Sequence, residues 1–218
     1  MVFAKNVTGL ALLATLLAPL HAANLSLKVA SDSGEVLKDA VIYALPKMPL
    51  ARFATSVEGI VDQRDKEFIP HVLPVQVGTS VLFPNNDRIR HHVYSFSPAK
   101  SFEIPLYAGT PPDPIVFDKP GPVSLGCNIH DWMGAFVFVV DTPYFALTDD
   151  SGSALITDIP TGDYTVMVWH PRMTGTDTET GRDMTLGAGG VQDMEFTIAL
   201  RKTWRAFRAP AQSIGGYR

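Results

Sequence analysis

The chain has 218 residues, enough for one large or two small domains. Hydrophobic residues make up 46% and charged residues 18%, the balance of a globular protein with a sizeable core. A net charge of -4 gives no reason to expect nucleic acid as a partner.

Residues 1–22 read as a secretory signal. Lys5 supplies a positive start, Leu10 to Leu20 is apolar, and Leu20-His21-Ala22 ends on a small residue, so cleavage is expected after about Ala22 or Ala23. The apolar run is too short for a comfortable membrane span, so no stable transmembrane segment is expected after processing. An uncleaved N-terminal anchor is the alternative. No Cys follows the run, which argues against a lipoprotein anchor. The expected location is the periplasm or another exported compartment.

Gly and Pro number 17 each, which suits many short strands joined by turns. Asn24 to Ala30 alternates apolar and polar residues, the period of a strand. Ser31-Asp32-Ser33-Gly34-Glu35 is a turn, and Ala40 to Leu45 is a second strand closed by Pro46. Residues 46–60 read as linker. Glu67 to Pro70, Val72 to Val77 and Ser80 to Phe83 are further strands. Tyr94 to Phe117 is rich in Pro and Gly and reads as loops around Phe102-Glu103-Ile104 and Ile115-Val116-Phe117. Pro122 to Leu125 and Ala135 to Val140 are strands on either side of a loop. Phe145 to Ser153 is strand then turn, and Ala154 to Trp169 is strand, turn, strand. No helical period of useful length stands out, so the fold class is all-β.

The loop between the last central strands holds the chemistry. Gly126-Cys127-Asn128-Ile129-His130-Asp131-Trp132-Met133-Gly134 contains the only cysteine in the chain. A lone thiol in an exported protein forms no internal disulfide; it is reactive, intermolecular or metal-bound. Thiolate, imidazole and thioether within seven residues form a soft donor set that selects copper over magnesium, calcium or manganese. Zinc also takes Cys and His, but Met is not among its usual ligands. Taken singly, each residue has a plainer role: Cys127 as a small buried hydrophobe, His130 as a loop histidine, Met133 as core filler. A blue-copper site needs one more His from elsewhere in the chain. Upstream stands Asn85-Asn86, then four residues on His91-His92-Val93.

Asn-Asn, four residues, then His-x-Val resembles the first-ligand region of the cupredoxins, the plastocyanin-like copper proteins. The Cys-x2-His-x2-Met loop is similar to the short ligand loop of amicyanin, a member of that family. The resemblance covers roughly residues 66–141, in the family's order and spacing. It implies a Greek-key β-sandwich with one type 1 copper held by His91, Cys127, His130 and Met133. His92 stays open as the alternative to His91, because Tyr94 and Phe96 share its parity along the strand. Leu125-Gly126 departs from relatives that carry aromatic residues before the Cys, which leaves the thiolate's surroundings, and so its potential, open. His71 and His170 have no partner motif and read as structural.

Thr148-Asp149-x-x-Gly152, then Ile159-Pro160-x-Gly162-x-Tyr164-x-Val166, resembles the second half of a carboxypeptidase regulatory-like β-sandwich. Residues 25–45 look like its first half. The expected organisation is residues 24–60 as the first half plus linker, 61–141 as the inserted copper domain, and 142–200 as the second half. Exposed turns tolerate such insertions. The alternative is that residues 24–60 simply extend the copper domain. Residues 201–218 form a basic tail with interleaved aromatics, suited to an acidic partner, to a membrane surface or to plain solvation.

The resulting expectation is an exported single-electron carrier, not an enzyme, that meets an unidentified redox partner protein. Amicyanin's link to methylamine oxidation makes methylamine utilisation one implied setting. Copper delivery or storage is the first rival. A cell-envelope binding module in which copper is incidental is the second. Nothing resembling a Ser-His-Asp order, a paired-carboxylate motif or a phosphate loop stands out. Trp132, between two expected ligands, is expected to lie partly exposed beside His130 as an apolar docking contact.

Overall fold

The computed structural model describes residues 22–48, 58–111 and 113–202. Nearly all of the expected signal, most of the linker and the tail from residue 203 onward lie outside the described residues. Strands β1 (Ala22–Ser31) and β2 (Val41–Pro46) come first. The middle of the chain supplies β3 (Glu58–Ile60), β4 (Asp62–Arg64), β5 (Glu67–Ile69), β6 (Val72–Gln76), β7 (Thr79–Leu82), β8 (His91–Ser97), β9 (Lys100–Tyr107), β10 (Ile115–Phe117), β11 (Gly121–Gly126) and β12 (Gly134–Val140). Then follow β13 (Phe145–Leu147), β14 (Ser153–Pro160), β15 (Gly162–Trp169), β16 (Arg182–Leu186) and β17 (Val191–Ile198). One 3-10 turn, Asp177–Thr180, is the only helical element among the described residues. The protein is all-β, as the sequence predicts. No helix among the described residues is long and apolar enough to cross a membrane.

Two sheets unite the ends of the chain. One has the order β14-β1-β17, the other β13-β2-β15-β16. Alternation along β1 buries Leu25, Leu27 and Val29 against Phe196 and Ile198 of β17 and Val41 to Ala44 of β2, in one core. The middle strands form a sheet of order β10-β7-β3, a five-stranded sheet β6-β12-β11-β8-β9 and a small β4-β5 pair. Val81, Phe83, Val93, Phe117, Val123 and Val137 are among the side chains that fill a second core.

Strand β12 is a wall between the two cores. Phe138 and Val140 belong to the first core, while Ala135, Val137 and Val139 belong to the second. A strand buried on both faces reads as a continuous apolar run, which accounts for Ala135 to Val140. Across the wall, Trp169 of β15 stacks on Phe138 at 4.6 Å and meets Phe136 edge-on at 5.6 Å.

Two expectations need correction. The stretch from Tyr94 to Phe117 is not mainly loop: β8 and β9 form an antiparallel hairpin, with Val93 opposite Ile104 and Ser95 opposite Phe102. Its Pro105 is tolerated because β9 is an edge strand, where a missing N–H breaks no ladder. Residues 58–60 are not linker either. They form β3, parallel to β7, where a Cβ on Gly59 would crowd Val81 at 3.1 Å. Three residues are too few to show a period. Strands β16 and β17 are further elements that the sequence reading did not resolve individually.

His170, just past β15, is buried and structural. Its Nδ1 accepts from the Arg172 backbone amide at 3.1 Å, and the ring also bonds the Lys38 backbone. Burial, reinforced by the Arg172 guanidinium, pushes the imidazole down from 6.5 to about 4. The folded value lies below the unfolded one. The neutral ring therefore contributes fully above about pH 6.5, and that contribution is lost as pH falls toward 4. The loss is on the order of 3 kcal/mol at most. Urea unfolding at about pH 7.5 and about pH 4.5 should show a smaller acid penalty in His170→Gln than in the wild type. Equal penalties would assign the acid sensitivity elsewhere.

Candidate metal centre

The β11–β12 hairpin ends with Gly126 opposite Gly134, so residues 127–133 form a short loop closed by two glycines. Inside it the Met133 amide bonds the His130 carbonyl at 3.0 Å, a turn that brings the Met back beside the Cys. Gly126 serves a close approach. A Cβ there would lie 2.7 Å from the Tyr94 ring, which crosses this spot from β8. An aromatic ring thus stands next to Cys127 after all, supplied by the neighbouring strand instead of by the residue before the Cys.

His91, Cys127 and His130 converge. One donor atom from each lies within 4.8 Å of the others. Cys127 Sγ is 3.8 Å from His91 Nδ1, and the His91 and His130 rings are 5.0 Å apart. Cys127 and Met133 are both buried, in the core of the middle sheets. Bonds of about 2.1 Å around one ion put donor atoms roughly 3.6 Å apart, close to the 3.8 Å between Cys127 Sγ and His91 Nδ1.

His130 carries a second sign. Its Nδ1 is buried and has no hydrogen-bond partner. His92 Nε2, at ion-pair distance from Glu103, and Trp132 Nε1 nearby are also buried without a hydrogen-bond partner. Of these, only the His130 ring belongs to the cluster with His91 and Cys127, where a metal bond would account for the atom. Burial, then His91 and Lys66, hold the His130 imidazole below its ordinary range, which favours the neutral form that binds metals.

The neighbouring histidine goes the other way. A bulge between His91 and Val93 interrupts the pairing of β8 with β9. His91, Val93 and Ser95 turn inward, while Phe96 is 78% exposed, so the Tyr94 and Phe96 parity marks the outer face. His92 Nδ1 accepts from the Asn128 side-chain Nδ2 at 2.5 Å, and its Nε2 lies 2.9 Å from the Glu103 carboxylate. His71 bonds the Gly134 carbonyl at 3.2 Å, beneath the loop. Trp132 is half-buried with its ring 5.1 Å from that of His130.

The sequence reading missed Asp87. Its carboxylate lies 2.9 Å from His91 Nε2, the nitrogen that faces away from Cys127. Burial alone would raise this carboxyl, but bonds from His91 and from the Lys66 and Arg88 amides outweigh it and hold Asp87 below the usual carboxylate range. The only sequence signal was an Asp four residues before a candidate ligand His, in a stretch with no helical period to bring them together.

No protein-family model matches this chain, and no curated protein matches it. Among solved structures, a copper-containing nitrite reductase (NirK) from Thermus scotoductus SA-01 is similar over 45% of this chain, at 26% identity and a TM-score of 0.38. The match covers only 26% of the reductase chain. A purple cupredoxin from Nitrosopumilus maritimus is similar over 39% of this chain and 100% of its own, at 23% identity and a TM-score of 0.34. A reduced mutant of amicyanin is similar over 40% of this chain and 86% of its own, at 20% identity and a TM-score of 0.36.

Proposed function

We propose that this protein is an exported type 1 copper protein that carries single electrons to or from a redox partner protein. The observation that carries the reading is the convergence of His91, Cys127 and His130, with the orphaned His130 Nδ1 among them. His91, Cys127 and His130 would hold the ion, with the Met133 thioether as a further, weaker donor. Copper, when bound, supplies a one-electron couple. The chain supplies the cage: a loop pinned between two paired strands limits how far the donors shift between oxidation states. Cys127 would bind the ion as thiolate. Half-buried Trp132 beside His130 gives the partner an apolar contact. A copper unit inserted into the second sandwich belongs to the same reading, with its start moved from residue 61 to β3 at Glu58, which pairs with β7.

A groove favours copper delivery as a second reading. Tyr94, Phe96, Ser124, Asn128 and Asp131 line it, together with Cys127 and Met133. An exchanging site needs a path to its sulfur donors, and the groove reaches Cys127 and Met133, which are themselves buried. Transfer of copper(I) to a chelator within minutes supports delivery, whereas retention with a reversible potential supports electron transfer.

The primary test is the absorption and electron-spin spectrum of the protein loaded with copper(II). An intense visible thiolate-to-copper band is expected. A colourless protein that takes zinc and no copper would defeat the reading. Among single variants, His91→Ala should lose or open the site, with copper affinity down by more than about 10-fold, since even outer-shell losses reach that size. His92→Ala should leave binding nearly intact. The reverse ranking, read by competition with a chelator, would mean that the ligand is the other neighbour.

A further inference from the structure

We propose that Asp87 is the positioning residue for His91. It holds the imidazole in the one tautomer that points a lone pair at the metal position. The inference rests on the copper reading of the site, but its central measurement needs no metal.

An ionised carboxylate only accepts hydrogen bonds. With Asp87 Oδ2 at 2.9 Å, His91 Nε2 must therefore be the protonated nitrogen. The neutral ring then carries its lone pair on Nδ1, the atom 3.8 Å from Cys127 Sγ. His91 is fully buried, so bulk solvent does not reach either nitrogen. The carboxylate itself is fixed. Oδ2 also receives the Lys66 amide at 2.8 Å, and Oδ1 receives the Arg88 amide at 2.7 Å.

The loop that presents Asp87 is held in turn by Asn85. This buried side chain accepts from the Asp87 amide at 3.0 Å and donates to the Ile89 and Tyr107 carbonyls at 3.0 and 2.8 Å. Asp65 and Lys66 form a left-handed turn, with φ of 51° and 64°, and the Lys66 amide within it meets the carboxylate. Two loops and one strand thus meet on a single Asp side chain. Lys66 and Arg88 act through backbone amides, so their own side chains are dispensable for this role.

The test is nitrogen NMR of 15N-histidine-labelled, metal-free, full-length protein at a pH where the ring is neutral. The wild type should show His91 protonated on Nε2. Asp87→Ala should give a mixture of tautomers, Asp87→Asn should retain the wild-type tautomer through its amide oxygen, and Arg88→Ala, which keeps the backbone amide on Asp87, should leave the His91 tautomer unchanged. Copper(II) affinity should fall by about 10–100-fold in Asp87→Ala and by less in Asp87→Asn. A wild-type His91 protonated on Nδ1 would overturn the proposal, as would an unchanged tautomer in a folded Asp87→Ala. If Asp87→Ala does not fold, the wild-type tautomer decides alone. If no variant takes copper while the tautomers behave as stated, Asp87's orienting role stands and the copper reading falls.

Discussion

Replacing Cys127 by Ser should abolish the visible band of the copper-loaded protein outright. An alcohol cannot supply the soft, polarizable sulfur that the band and the affinity both depend on. Copper(I) binding should weaken by more than about 100-fold, since removing an outer-shell partner alone reaches that figure. The fold should survive. Cys127 is 5% exposed and Ser is nearly its size, so the cost is that of a poorly paired hydroxyl, about 1–3 kcal/mol. Met133→Leu is the contrasting change. It conserves volume in a side chain that is 2% exposed, so it should cost less than about 1.5 kcal/mol. It should keep both copper and colour while shifting the potential, because the axial donor tunes the couple. An undiminished band in Cys127→Ser would remove the thiolate from the site.

Trp169→Ala should be the most destabilising single change outside the site. The ring is 7% exposed and stacks on Phe138 at 4.6 Å, with Phe136 at 5.6 Å, both on β12. Truncating a buried Trp costs about 3–5 kcal/mol, through lost transfer energy and the cavity left behind. Here the cavity would open between β15 and the strand that carries the ligand loop. Urea unfolding should show the loss, and hydrogen exchange should quicken in β12 as well as in β15. A loss under about 1 kcal/mol would mean that packing across β12 contributes little. The copper spectrum should change far less than the stability, because Trp169 contacts the strand and not the loop.

The contrast between these variants shows how differently the two parts of the molecule could be read. The loop chemistry lies within seven residues, so Cys127, His130 and Met133 stood together in the sequence as a soft donor set. Their strands were legible too, because β-branched and aromatic runs flank the loop. The β8–β9 hairpin was harder. Pro105 and the glycines beyond it suppress the strand signal, and only edge position makes the proline acceptable. Strand β3 was hidden by its length.

The choice between His91 and His92 could not be made from alternation. Tyr94 and Phe96 look like core residues by type, yet they lie on the outer face, Phe96 almost wholly in solvent. Aromatic character is a guide to burial only when the face has a sheet to cover it. Asp87 was invisible for a related reason: its meeting with His91 depends on a loop path that Asn85 and the Lys66 amide set from a distance in sequence.

By itself, then, the sequence determined the all-β class, the soft donor loop and most of the strands, because each is written in local period, local composition or close spacing. Only the tertiary structure decided which of the adjacent histidines turns toward Cys127, that Tyr94 fills the space over Gly126, that β12 is shared between two cores, and that Asp87 backs His91. Those four depend on which segments meet across long stretches of chain. Strand pairing and packing choose those meetings, and no local pattern records them.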